Sequence, residues 1–375
     1  MIGTDWRKEP RRRSLLQDAW PEADRTAWES ANRAGDLLEP GGDASHWATS
    51  TRETTARCYG RWLAWLSRNG LLDEIQSPGD RLTPDRLERY IAELVSLNAR
   101  SSAASQIGHL YMAISVIEPK RDWRWMRPAE ARLRHSAAPN DKRPRLVEPD
   151  QLYAYGVELM DFADAAEGKP IFMRALSYRD GLMVSLLAAR PFRRRNFVSI
   201  EIGRHLVFEA GRYWLRFEAT ETKNRRSLEQ AFPEPLVPYL EHYLAVYRPV
   251  LTNEICSSRR KKGRPPASTS ALWISEWATP MSIGATYGMI TRRTKARFGR
   301  AVHPHLFRHG AATAVATEDP EHVYLTRNLL GHTTLRTSEQ YYNLAQGLEA
   351  TRQYQNQILA LRHRPEELPA ETPAP

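Results

Sequence analysis

The densest run of chemistry-bearing side chains is His303-Pro304-His305-Leu306-Phe307-Arg308-His309, followed by Leu329-Leu330-Gly331-His332 and then by Tyr341-Tyr342. His305 and His309 stand four apart, so one helix would set both imidazoles on one face, where they are candidates for metal ligands. No HExxH sequence is present, and no Cys or carboxylate stands at ligand spacing nearby, so neither a metal nor any other cofactor is expected. A serine hydrolase would need a GxSxG elbow, and nucleotide binding a GxxxxGK[ST] loop or a GxGxxG turn; none is found. A further reading joins His305, Arg308 and a later Tyr as one site facing a phosphate. His305 and Arg308 are three apart and share a helix face. An arginine offers a planar fork matched to two phosphate oxygens. A tyrosine hydroxyl, with a pKa of about 10, is a poor nucleophile until cationic donors stabilise the charge that develops on the attacked phosphate. With Arg, Lys and His supplying the charge, such a site needs no metal.

Something must carry these residues into one cleft, and the pattern upstream supplies helices to do it. The first 45 residues are polar, with Arg11-Arg12-Arg13 and Gly41-Gly42, and read as an N-terminal extension ending at a flexible joint. A capping-box pattern at Ser50-Thr51-Arg52-Glu53 opens a helix with Tyr59, Trp62, Leu63 and Leu66 on its apolar face, stopped by Asn69-Gly70. Thr83-Pro84 opens a second, with Leu87, Tyr90, Ile91 and Leu94. A third carries Ile107, Leu110, Tyr111 and Ile114 and ends before Pro119. These stripes read as core, so residues 46–138 form a small helical domain. The polar, proline-punctuated segment 139–149, holding Lys142, Arg143 and Arg145, reads as a basic linker. Beyond it, helical pattern covers roughly 149–163 and 171–190, and Leu206-Val207-Phe208 and Tyr213–Phe217 flank a hairpin turn at Glu209-Ala210-Gly211-Arg212. Helical pattern returns near 234–247. A loop from Ser257 to Ser270 holds Arg259, Arg260, Lys261, Lys262 and Arg264, and helices dominate again from Ser282 to about 361. Residues 363–375 read as a disordered tail.

Composition bounds the partners. The 375 residues carry 54 Lys+Arg against 44 Asp+Glu, a formal net charge of +10, which suits a polyanionic partner. Two cysteines, Cys58 and Cys256, suit a reducing compartment and no disulfide scaffold. No apolar run approaches the ~20 residues that a membrane helix needs, and Met1 to Arg13 lacks the apolar core of a secretory signal. The expectation is a soluble cytoplasmic protein.

His305-Leu306-Phe307-Arg308-His309, Leu330-Gly331-His332 and the tyrosines that follow resemble the tyrosine recombinases, the phage-integrase family. That family's pattern is a first Arg, a hairpin Lys, His-x-x-Arg, a His or Trp, and a nucleophilic Tyr. Leu182 to Ala189 resembles the apolar helix before the first Arg, and Pro191-Phe192-Arg193-Arg194-Arg195-Asn196 a Pro-Leu-Arg-x-x-Asn form of its turn. Arg193 takes the catalytic position, Arg194 and Arg195 are further phosphate contacts, and Asn196 stands where the family usually has an acid. Lys223 in Glu221-Thr222-Lys223-Asn224-Arg225-Arg226 fits the hairpin Lys and is the only Lys between Lys169 and Lys261; a solvated turn lysine is the plainer reading. Tyr341 lies nine residues after His332, the commonest family spacing. Thr337-Ser338-Glu339-Gln340-Tyr341-Tyr342-Asn343-Leu344-Ala345 resembles a subfamily ending in His-Tyr-Asn-x-Ala, in which Tyr342 is the nucleophile. Tyr342 is favoured and Tyr341 stays open.

The resemblance implies a mainly α fold with a small antiparallel β-sheet (α+β), arranged as a two-domain C-shaped clamp on double-stranded DNA. Residues 46–138 would be a SAM-like core-binding domain and 150–362 the catalytic domain. It implies a site-specific recombinase or integrase in which Tyr342 forms a 3′-phosphotyrosyl link. Arg193, Arg308 and His332 would stabilise the transition state, His305 would assist proton transfer and Lys223 would protonate the leaving 5′ oxygen. Arg194, Arg195, Arg225, Arg226, Arg259, Arg260, Lys261, Lys262, Arg264, Lys142, Arg143 and Arg145 are candidate DNA contacts. The implied assembly is a homo-tetramer on two DNA sites, exchanging strands through a Holliday junction in a bacterial nucleoid, with Leu344 to Leu361 passed between protomers. A type IB topoisomerase-like relaxase shares the chemistry; the helical domain and the short spacing between Arg308 and Tyr342 speak for a recombinase. A catalytically silent DNA-binding accessory protein is the rival from another class.

Overall fold

The computed structural model describes residues 9–138, 143–252 and 269–318. The chain divides into two compact units, Met1–Asn140 and Asp141–Pro375.

The first unit is helical: α1 Glu22–Asn32, α2 Thr49–Arg68, α3 Pro84–Leu97, α4 Arg100–Ile117 and α5 Arg127–His135. Its core is aromatic. Trp62 stacks on Trp65 with centroids 5.1 Å apart, and Tyr90 meets Trp62 edge-on at 5.2 Å. Thr83 caps α3 through its hydroxyl and Pro84 takes the first turn, as the sequence requires. The expected capping box at Ser50 does not form. Helix α2 begins two residues earlier than that cap implies, at Thr49, with Ala48 as a cap that offers no side-chain bond. Asn69 ends it, and Gly70 follows at φ 65°, the left-handed turn that glycine takes without strain. From Leu15 on, the polar N-terminal segment packs into this core. Trp20 and Trp28 are buried in the same cluster. Asp24 is fully buried, accepting from the Tyr59 hydroxyl at 2.5 Å and from the Arg81 guanidinium. A carboxylate without water is tolerated there because both of its oxygens are engaged.

The second unit is built on α6 Pro149–Ala165 and α7 Ile171–Ala189, the latter buried along most of its length. The two helices touch backbone to backbone at Gly156 and Gly181, where a Cβ on Gly156 would stand 2.5 Å from the Gly181 carbonyl oxygen. A short helix, α8 Arg194–Val198, leads into β1 Leu206–Glu209, β2 Arg212–Phe217 and β3 Leu228–Ala231. Among the described residues these form one antiparallel sheet in the order β1-β2-β3. Ala210 and Gly211, at φ 51° and 74°, make the tight turn between the first two strands. The chain then runs through α9 Val237–His242, a π turn at Tyr243–Tyr247 and α10 Arg248–Thr252, and later through α11 Ile283–Phe298 and α12 Pro304–Glu318. The fold is mainly α with a small antiparallel sheet. Strand β3 is the one element of the sheet with no sequence signal of its own. No described helix is long and apolar enough to cross a membrane.

Candidate active site

The site is assembled where α7 ends. Arg190 leaves the helix, buried Pro191 and Phe192 turn the chain, and Arg193 sits at the N-cap of α8 in an extended conformation, φ −62° and ψ 136°. Phe192 and Phe197 anchor the two sides of the turn in the core, and of the polar residues between them Arg194 and Arg195 face outward, whereas Arg193 is half-buried. That burial pulls the Arg193 guanidinium below its ordinary pKa. The direction records a cation that has lost part of its water and would gain from an anion brought against it.

Helix α12 brings the second arginine to this turn. Arg308 is buried, and its guanidinium donates to the carbonyl oxygen of Pro191, two residues before Arg193. The His-x-x-Arg segment and the first-Arg turn, more than a hundred residues apart in sequence, are thereby fastened together. Leu306 and Phe307 sink into the core and hold α12 in place, and His305, one turn before Arg308, is exposed. The His305 ring lies edge-on to His309 at 4.7 Å and parallel to His303 at 6.4 Å. Beyond His303, Tyr287 of α11 stacks at 6.0 Å, with the Arg194 guanidinium 5.6 Å over its ring. Tyr287 and Asn224 join this candidate site without belonging to any of its sequence motifs.

The lysine turn is tied to the same place. Lys223 is exposed on the connection from β2 to β3, in a turn closed by the Thr222 hydroxyl, which donates to the Arg226 carbonyl at 2.7 Å. Arg225 adopts φ 51° to complete it. Two hydrogen bonds fix this turn to α8. Arg193 donates from Nη2 to Asn224 Oδ1 at 3.1 Å, and buried Asn196 donates from Nδ2 to the Glu221 carbonyl at 3.1 Å. The residue that replaces the family's usual acid is thus an amide that grips backbone, and the oxygen facing Arg193 comes from the residue after Lys223.

Arg193, Lys223, His305 and Arg308 are therefore carried by three segments bonded to one another. Arg225 and Arg226 are exposed on the lysine turn, and Arg145 is exposed just before α6. Arg143 lies in a short 3-10 turn. His332, Tyr341, Tyr342, the segment Leu344 to Leu361, Lys142 and the loop cations Arg259, Arg260, Lys261, Lys262 and Arg264 lie outside the described residues.

Comparison with solved structures finds the same fold in two XerH site-specific recombinase complexes. The one bound to a palindromic difH substrate after cleavage superposes with a TM-score of 0.55 at 12% identity, covering 88% of this chain and 93% of that one. The pre-cleavage complex with difH gives 0.53 at 14% identity, covering 80% and 78%. A search of curated proteins returns no match. The model of the phage integrase family matches residues 156–347, just over half of the sequence and all three segments that carry Arg193, Lys223, His305 and Arg308. The chain belongs to the phage integrase family, the tyrosine recombinases.

Proposed function

We propose that the protein cuts and rejoins double-stranded DNA at specific sites through a covalent 3′-phosphotyrosyl intermediate. The observation that carries the reading is the junction at the end of α7. Arg308 grips Pro191 and Arg193 grips Asn224 of the turn that carries the exposed Lys223, so the segments bearing two guanidinium groups and an ammonium are fastened together. Such a cluster suits a phosphodiester whose charge grows in the transition state.

In the proposed step the hydroxyl oxygen of Tyr342 attacks the scissile phosphorus, and its proton passes to His305 or to water. The bond from phosphorus to the 5′ oxygen breaks, and the Lys223 ammonium delivers a proton to that oxygen. Arg193, Arg308 and His332 hold the non-bridging oxygens. A 5′ hydroxyl from another strand reverses the sequence, so the phosphodiester energy is retained and no nucleotide is consumed. Four protomers on two sites would exchange strands in two such rounds through a Holliday junction, with Leu344 to Leu361 joining neighbouring protomers.

The test uses nicked duplexes made from the DNA flanking the protein's own gene, whose short cleaved end diffuses away and traps the adduct. The full chain is expected to become covalently attached to the 3′ side of the break. Tyr342→Phe should abolish the adduct and Tyr341→Phe should retain it; the reverse outcome makes Tyr341 the nucleophile. Loss in neither variant would refute the tyrosine mechanism.

A further inference from the structure

The family's usual acid is missing at position 196, yet a carboxylate stands one layer behind the lysine turn. Glu221 closes the 3-10 turn Ala219–Glu221, directly before Thr222 and Lys223. Its Oε2 accepts from the Glu218 backbone N–H at 2.9 Å. Its Oε1 accepts from Arg204 Nη2 at 2.5 Å and meets His205 Nε2 at 3.1 Å. His205 is buried, and its Nδ1 accepts from the Glu201 backbone N–H at 3.1 Å. That bond leaves Nδ1 without a proton, so the hydrogen of the neutral imidazole sits on Nε2 and points at Glu221. The His205 ring is held by Phe217 of β2, with centroids 4.9 Å apart. The carboxylate is thus fixed by donors from three directions, while the carbonyl of the same residue accepts from Asn196.

We propose that Glu221 and His205 are positioning residues for the cleavage reaction, holding the Lys223 turn against Arg193 in place of the carboxylate absent at 196. The inference rests on the functional reading above, since it assigns the clamp's purpose to the placement of Lys223. The geometry leads there because Glu221 is bonded both to α8, through its carbonyl, and to the two residues that lead into β1, through its carboxylate. Release of the carboxylate frees the residues immediately before Lys223.

The clamp acts through the general acid, and that gives it a readout that fold stability does not share. With oxygen as the 5′ leaving atom, the bond from phosphorus breaks as a proton arrives from Lys223. With a bridging sulfur at the same place the leaving group is a thiolate, whose conjugate acid has a pKa of about 8.5, and no proton is required. The two substrates are nicked suicide duplexes differing in that one atom. In Glu221→Gln one carboxylate oxygen becomes an NH2 group, and whichever way the amide faces, a donor meets a donor. Positioned general acids contribute about 10²–10⁴-fold, so adduct formation by Glu221→Gln should fall at least about tenfold on the oxygen substrate and stay within about twofold of wild type on the sulfur substrate. His205→Gln, which keeps an amide donor and a carbonyl acceptor, should retain more activity on oxygen than His205→Leu, which keeps neither. Arg204 is 59% exposed, so Arg204→Ala does not put folding at stake; a loss of about two- to fivefold on oxygen alone is expected from one exposed ion pair.

If the wild-type chain forms no adduct, the recombinase reading falls and the clamp with it. If wild type forms adduct and Lys223→Ala is rescued by sulfur, the reading stands. Glu221→Gln equal to wild type on both substrates, or equally impaired on both, then overturns the clamp alone.

Discussion

At the scale of single residues the site is organised by backbone acceptors as much as by charges. Arg308 is aimed by a carbonyl, Asn196 spends its amide on another, and Glu221 works through three donors. The bond from the Glu218 amide, followed by those from His205 and Arg204, holds the Glu221 carboxyl below its ordinary pKa against the opposing effect of burial. A lowered carboxyl value has a definite sign in stability: the ionised form is favoured in the folded chain, so its contribution is complete above the unfolded value of about 4.3 and is lost as pH falls through the lower folded value. Urea unfolding of the full chain should therefore show Glu221→Gln less stable than wild type at pH 6, with the difference narrowing once pH drops below about 4.3. A difference that holds constant down the titration would mean that the carboxylate charge is not what the donors recognise.

At the scale of elements, α7 sets the position of the first arginine, and α6 sets α7. Their contact rests on Gly156 and Gly181. A Cβ on Gly156 would lie 2.2 Å from Ser185 Oγ and 2.5 Å from the Gly181 carbonyl oxygen, and the backbone atom cannot swing aside. Gly→Ala in an open helix site gains roughly 0.5–1 kcal/mol, but the clash reverses the sign, and Gly156→Ala should cost about 1–3 kcal/mol, as overpacked cores do. Gly288→Ala on α11, with open space around the added carbon, is the control and should be neutral or stabilising; the midpoints in urea decide. The helices that carry the site were legible because their apolar residues recur at helical spacing, and the His305–Arg308 pair because three residues make one turn. Other features depend on contacts between distant segments and leave no local trace. Asn224 and Glu221 look like ordinary turn residues until β3 returns beside β2. Trp20, Trp28 and Asp24 sit in a segment whose composition is polar, and only Tyr59 and Arg81 explain its burial. The Ser50 capping pattern failed because the chain entered α2 from the packed Trp47 side and started the helix at Thr49. Between α9 and α10 a run that reads as plain helix contains a π turn. Both Tyr243 and Tyr247 are buried there, with hydroxyls on the Leu272 carbonyl and the Asp164 carboxylate.

At the scale of the whole molecule, the +10 charge is consistent with a long-range attraction to a polyanion, and the described residues locate part of it. Arg194 and Arg195 are exposed at the start of α8, beside Arg193, and Arg225 and Arg226 on the turn that carries Lys223. On the proposed function, exposed guanidinium groups around a half-buried one would divide the labour: the outer ones would attract and register the phosphate backbone, and the inner one would serve the reacting phosphate. This separation predicts different behaviour in salt. Each phosphate contact releases counterions and adds about 0.9 to the slope of log affinity against log salt concentration on duplex DNA. Binding of the full chain to non-specific duplex, followed by anisotropy from 50 to 300 mM salt, should lose about one unit of slope in Arg225→Ala. Arg194 is also engaged with the Tyr287 ring, so Arg194→Ala should lose a similar amount and in addition free Tyr287 from its cation. Arg193→Ala should leave the non-specific slope nearly unchanged while abolishing adduct formation on the nicked substrate. An equal fall in slope for all three variants would mean that the half-buried arginine is one more backbone contact, and the division of labour at the site would have to be abandoned.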